Sequence, residues 1–223
     1  MACEIRPKFE PYDLNLPIWH YIKREYAEKL FQTSTLRFKQ VASWQDSFEA
    51  RVNERSRKFH RTLDAKLESI DGIHIKRPDV YFTLREDLTR KTNYGSCWTY
   101  TNPKSSYMWE NLRLRDEGVA LESTVGSLLN FLTRDFMFSD LAQVRYQIPG
   151  TGSYHFDIKD YMFIKRLRYF REREVRLTVD MEWEHDSPFN SLNAEANSFR
   201  ELPVDLSLIK RVVDRGGRAV NFN

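Results

Sequence analysis

Cysteine is nearly absent from this chain. Cys3 and Cys97 are the only two in 223 residues. One sits at the N-terminus, so a structural disulfide is not expected and a reducing compartment fits. No Cys/His group has zinc spacing, and His20, His60, His74, His155 and His185 are scattered, so no metal site is expected from them. Long apolar runs are missing too. No window approaches the ~18 consecutive apolar residues of a membrane span, and residues 1–7 lack the apolar run of a signal peptide. A soluble, cytoplasmic protein without membrane contact is the expectation. There is no Gly/Ser linker, internal repeat or low-complexity tract at which to divide the chain.

What is present points to one generous domain. Hydrophobic residues make up 41% and aromatics 14%, which is enough for a real core and argues against disorder. The net charge of +3 is modest but unevenly spread. Arg51, Arg55, Arg57, Lys58 and Arg61 cluster early, and a second basic run extends from Lys165, Arg166 and Arg168 to Arg176. Lys210, Arg211, Arg215 and Arg218 follow near the end. Such clusters either attract phosphates or keep helix faces and strand edges soluble. Arg55, Arg57, Lys58, Lys165, Arg166 and Arg168 are the candidate nucleic-acid or partner surface.

Pattern reading gives mixed elements. Residues 1–17, with Pro7, Pro11 and Pro17, read as an irregular arm. A helix carries Ile22, Tyr26, Ala27, Leu30 and Phe31, and Leu36–Val41 alternates as a strand. Phe48, Val52, Phe59, Leu63, Leu67 and Ile70 describe a long amphipathic helix, and Arg77-Pro78 marks a loop. Strands are expected over Ser96–Thr101, Gly118–Glu122 and Val144–Ile148. Short helices are expected from Ser105 to about Leu112, after a Ser123 or Thr124 cap, and from about Asp157 to Tyr169. A weak element spans Val204–Val213. Without strict strand–helix alternation, this predicts an α+β fold. It is a single domain over residues 18–213 with a mostly antiparallel mixed sheet and flanking helices, followed by a tail over 214–223.

The most informative stretch lies late in the chain. Val175, Leu177, Val179, Met181 and Trp183 alternate with polar residues, the period of a half-buried strand. Glu172, Glu174, Arg176, Thr178, Asp180 and Glu182 then share the opposite face, with the two glutamates about 7 Å apart. That face is either solvated or the working edge of a cleft.

Several segments, taken together, resemble a known group. They are Trp19-His-Tyr-Ile, Leu30 to Phe38, Trp44-Gln-Asp-Ser-Phe-Glu49, Cys97-Trp-Thr, Tyr107-Met-Trp109, Glu117-Gly-Val-Ala-Leu121 and Lys165 to Arg176. In this order they resemble a bacterial domain family of unknown function, over roughly residues 18 to 180. The chain departs from it at Asp46-Ser47-Phe48, where the family often has Pro before Phe. The chain more loosely resembles the ADP-ribosyltransferase superfamily, which carries an early His or Arg, a central Ser/Thr or Tyr strand and a late Glu-x-Glu. The matching positions here are His20, Ser96 to Thr101, and Glu172-Arg-Glu174. This resemblance implies NAD as co-substrate, no metal, and a macromolecular acceptor that is nucleic acid or protein. It would suit a bacterial or phage toxin or a defence effector.

The chemistry says why those residues would be wanted. Breaking the nicotinamide–ribose bond develops oxocarbenium-like charge. Glu174 could stabilise that charge, and Glu172 could take the acceptor's proton. His20 with Thr99 or Thr101 could hold the dinucleotide, an aromatic such as Tyr21 or Trp98 could stack on nicotinamide, and Arg176 could meet the pyrophosphate. Trp98 is most simply a core residue, and Thr99 and Thr101 ordinary strand residues. Two rivals come from other classes. A metal-dependent nuclease would use Asp157 or Asp160 with Glu172 and Glu174. A non-catalytic binding module would use the basic clusters alone.

Overall fold

The strand that begins at Glu174 is an interior strand, one in from the edge, of an eight-stranded antiparallel sheet. The structure is a computed structural model that describes residues 14–44, 46, 49–52, 57–58, 78–135, 139–148, 158–181 and 199–222. Strand β1 (Pro17–Lys23) leads into helix α1 (Arg24–Thr33), which turns through Ser34 into β2 (Thr35–Gln40). Helix α2 (Pro78–Thr92) precedes β3 (Asn93–Thr99), and α3 (Ser106–Asn111) precedes β4 (Gly118–Thr124). Helix α4 (Val125–Asp135) is followed by β5 (Ser139–Gln143) and β6 (Arg145–Gln147). The remaining strands are β7 (Ile164–Arg166), β8 (Glu174–Asp180), β9 (Phe199–Pro203) and β10 (Arg211–Val213). Short β6 and β7 pair in parallel, apart from the main sheet. The α+β, single-domain, mostly antiparallel architecture is as the pattern predicts.

The alternation of β8 sorts its side chains by face. Val175, Leu177 and Val179 enter the main core with Tyr94 and Trp98 of β3, covered by Ala27 and Leu30 of α1 and by Val125 and Leu128 of α4. Both faces of β8 are buried, however, and this corrects the half-buried strand. Glu174, Arg176, Thr178 and Asp180 lie beneath the segment 158–172 and the turn after β2 rather than in water.

Several expectations change. Residues 158–169 do not form one helix. Two 3-10 turns, Ile158–Phe163 and Leu167–Glu172, flank β7. Tyr161, Met162, Phe163 and Ile164 are all buried, so the run has no solvent face for a helical stripe to leave. Glu172 is off the strand: Arg173 takes a left-handed φ of 46°, which breaks the pleat before Glu174. Pro78 opens α2 rather than marking a loop, since a missing N–H costs nothing at a first helical position. The helix expected over Phe48–Ile70 does not begin where the pattern put it: residues 49–52 form a turn and an irregular stretch, and 57–58 are helical. The rest of that span lies outside the described residues, as do Arg55, Asp157, Glu182, Trp183 and residues 1–13 of the arm. Past Val213 the chain folds back. Val220 N–H donates to the Val212 carbonyl at 2.9 Å, and Phe222 stacks on Phe31 at 5.1 Å. Among the described residues, no helix is long and apolar enough to cross a membrane.

One irregularity of the sheet positions the site. Strand β3 pairs along its whole length with β8, from Asn93 opposite Asp180 to Thr99 opposite Glu174. Its other edge is divided. Strand β2 pairs only at Gly95 and Tyr94, and β1 only at Thr99. The two neighbours splay apart between these points, with α1 joining them. The Cys97 carbonyl exposed in the gap accepts a side-chain bond from His20 Nδ1 at 2.7 Å, which satisfies a group a full ladder would have paired.

Candidate functional site

A cavity of about 670 Å³ occupies this split, within the range of small-molecule sites. Its walls include Cys97 and Thr99 of β3, Glu174 and Arg176 of β8, Trp19 and Tyr21 of β1, and Arg37 and Lys39 of β2. Glu172, Lys165, Trp44 and Glu49 close it from the segments that cover the sheet.

At one end, charges are packed tightly. Arg176 Nε lies 2.6 Å from Glu174 Oε1, and its Nη2 is 3.1 Å from Glu49 Oε2. Its other Nη donates to the Met162 carbonyl, and Trp44 lies over the guanidinium, centroid 4.3 Å away. Gly95 permits this: a Cβ there would stand 2.6 Å from the Trp44 ring. Lys165 Nζ touches three carboxylates, Glu172 at 2.5 Å, Glu174 at 3.1 Å and Glu49 at 3.2 Å. Asn111 Nδ2 donates to the other Glu172 oxygen at 2.9 Å.

Three carboxylates thus face two cations, and one carboxylate is in excess. Burial would raise Glu174, but Arg176 and Lys165 outweigh it and hold the carboxyl down at about 2. It is ionised at any physiological pH. Burial pushes Glu172 up, with Lys165 opposing, so Glu172 takes a proton before Glu174 does. Burial would lower Lys165, but Glu174 and Glu49 more than offset this and raise it.

His20 and Cys97 sit at the gap. A carbonyl can only accept, so the His20–Cys97 bond places the imidazole proton on Nδ1 and leaves Nε2 as an acceptor. Burial, with Trp98 stacked 5.0 Å away, pushes His20 down to about 4 despite that bond. The ring is neutral. The Cys97 side chain is reached by solvent through the cavity, yet crowding by protein and the charge of Glu174 push its thiol well up. It is not a ready nucleophile.

The structure therefore gathers Glu172, Glu174, His20, Tyr21, Trp98, Thr99, Arg176 and Lys165 around one cavity. Several have prior commitments. The Tyr21 hydroxyl donates to the Thr101 carbonyl at 3.1 Å, Trp98 Nε1 to Ser96 at 3.1 Å, and Thr99 to the Glu172 carbonyl. Thr101 bonds the Arg171 carbonyl at 3.1 Å and holds the turn beside the site. Arg176, its side chain 1% exposed, is fully engaged by the cluster. Arg166 pairs with Asp46 at 2.5 Å. Arg168 is exposed at the rim and bonds the Tyr169 hydroxyl at 2.6 Å. Arg57 does not belong to a free basic face: it pairs with buried Glu86 at 2.5 Å. Lys58 lies on the same short helical turn.

Sequence reasoning missed Glu49, Trp44, Asn111, Arg37 and Lys39. Trp44 and Glu49 belong to a segment that carried the family resemblance, so a signal existed there. Asn111, Arg37 and Lys39 look like ordinary polar positions, and only the topology brings them to the cavity. Comparisons with protein-family models, curated proteins and solved structures return no match.

Proposed function

We propose that this protein is an ADP-ribosyltransferase-like enzyme that transfers ADP-ribose from NAD to a macromolecule. The observation that carries this reading is the pair Glu172 and Glu174, which share Lys165 Nζ at one cavity wall while their proton affinities are pushed apart. Two carboxylates in one site with divergent pKa values are the usual basis for divided acid–base and electrostatic roles. Glu174, ionised throughout, would accept a hydrogen bond from a ribose hydroxyl and face the positive charge that grows as nicotinamide leaves with the bonding electrons. Glu172, nearer the operating pH, would receive the proton of the attacking acceptor. Neutral His20 offers Nε2 as an acceptor for another ribose hydroxyl.

The acceptor would approach over the turn that ends in Glu172. Leu167 and Phe170 are exposed there, at 44% and 55%, beside exposed Arg168, Arg171 and Arg173. Arginines interleaved with an exposed aromatic favour a nucleic-acid acceptor. The metal-dependent nuclease is less well supported, because Lys165 and Arg176 already neutralise the carboxylates a divalent ion would need.

The test is incubation with NAD labelled on the adenylate, with cell lysate or single-stranded nucleic acid as acceptor. We expect label on a macromolecule, nicotinamide release and no sensitivity to EDTA. Metal-dependent strand cleavage with no nicotinamide release would refute the reading.

A further inference from the structure

The cavity is electrically two-ended, and its second end is unassigned. Arg37 and Lys39 of β2 line it on the same sheet face as Cys97 and Glu174. Lys39 stands opposite Gly95 and Glu174 opposite Thr99. The cationic and acidic ends therefore lie ~13 Å apart along β3. We infer that Arg37 and Lys39 form a diphosphate subsite, and that the class of ligand it takes is a nucleoside diphosphate.

Arg37 is built in rather than loose. Its guanidinium lies 3.5 Å from the Phe199 ring centroid and 4.8 Å from that of Tyr26. Ring stacking uses the flat faces of a guanidinium and leaves its N–H edge to bind oxygen. The carboxylate opposite it, Glu201, is taken by Lys29 at 2.6 Å. Neither Arg37 nor Lys39 has an ion-pair partner among the described residues. Two cations without carboxylates among the described residues, one of them clamped, at the wall of a cavity match the adjacent anionic phosphates of a diphosphate. Tyr26 and Phe199 remain 39% and 38% exposed, which gives a nucleoside base apolar surface beside the phosphates. Arg176, the sequence's candidate for the pyrophosphate, is spent on Glu174 and Glu49, so the role passes to β2.

The assignment of this diphosphate to NAD rests on the proposed function, but the subsite itself does not. The experiment is calorimetric titration of the full chain with ADP, and separately with inorganic pyrophosphate. It compares wild type, Arg37→Gln/Lys39→Gln and Arg37→Lys, with melting curves as the folding control. ADP affinity should fall by roughly tenfold or more in the double variant, the size of one lost charge-assisted hydrogen bond. Arg37→Lys should retain part of it. Absence of ADP binding to wild type, or equal affinity in a folded Arg37→Gln/Lys39→Gln variant, would overturn the subsite. Arg37-dependent ADP binding without NAD cleavage would leave the subsite standing and sink only the transferase reading.

Discussion

Replacing Lys165 by Met tests the charge cluster on which the site depends. The ammonium contacts Glu49, Glu172 and Glu174, and its side chain is only 13% exposed. Met keeps most of the apolar stem and removes the charge, leaving three carboxylates with Arg176 alone. Removing one partner of a buried pair costs about 3–5 kcal/mol, against about 0–1 kcal/mol for an exposed pair. A domain's whole stability is about 5–15 kcal/mol, so urea unfolding followed by tryptophan fluorescence reads the difference easily. The loss also has a pH signature. Without Lys165, Glu172 rises further above its unfolded value. A carboxylate raised in the fold costs stability above its unfolded pKa, and the cost shrinks as pH falls through the folded pKa. The Lys165→Met deficit should therefore be largest near pH 8 and smaller by about pH 5. Adding Glu172→Gln should restore about 1 kcal/mol or more, because it removes a charge that Lys165 had balanced. A deficit below about 1 kcal/mol, or one equal at both pH values, would refute the electrostatic account.

Other outcomes follow from the same geometry. Depressed Glu174 contributes stability that is present above its ordinary value and is lost as pH falls from about 4.5 to about 2, on the order of 3 kcal/mol. Glu174→Gln should flatten acid unfolding in that window, and an unchanged profile would contradict the assignment. His20, lowered to about 4, likewise favours the fold above 6.5 and loses that contribution as pH falls through the interval between. Its imidazole resonances should not titrate between pH 6 and 8, and an ordinary histidine titration would remove its neutral role. In a Cys3→Ser background, Cys97 should react with iodoacetamide more slowly at neutral pH than a free thiol, despite being open to solvent; a faster reaction would contradict its raised pKa. Gly95→Ala should displace Trp44 from Arg176 and cost about 1–3 kcal/mol, read by melting and tryptophan fluorescence.

The polar–apolar alternation of Val175 to Met181 sufficed to place a strand and its core face, because period two is a local property of the backbone. What covers the other face is not local. The sequence showed Glu174 and Arg176 as neighbours two apart, but their partners Glu49 and Lys165 come from segments that no periodicity ties to β8. Helix α2 was hidden because Pro78 carries the same signal in a loop and in a first helical turn. Short β5, Ser139–Gln143, carries no polar–apolar alternation, and β9 was hidden behind the polar run before it. Arg57 shows the reverse error. A charge run looks like a surface patch until tertiary structure supplies Glu86. The division of β3's edge between β1 and β2, which creates the cavity, leaves no mark in composition at all.

The central claim is that Glu174 stabilises the charge that develops as the nicotinamide–ribose bond breaks. Glu174→Gln is suited to test it, because the cluster then holds two carboxylates against two cations and the fold should persist. Nicotinamide release from NAD, measured in wild type and in this variant with matched melting curves, addresses the claim directly. A fall in rate on the order of a hundredfold or more is the predicted result, the size of losing one preorganised electrostatic contact. Release that continues at the wild-type rate in Glu174→Gln would contradict it.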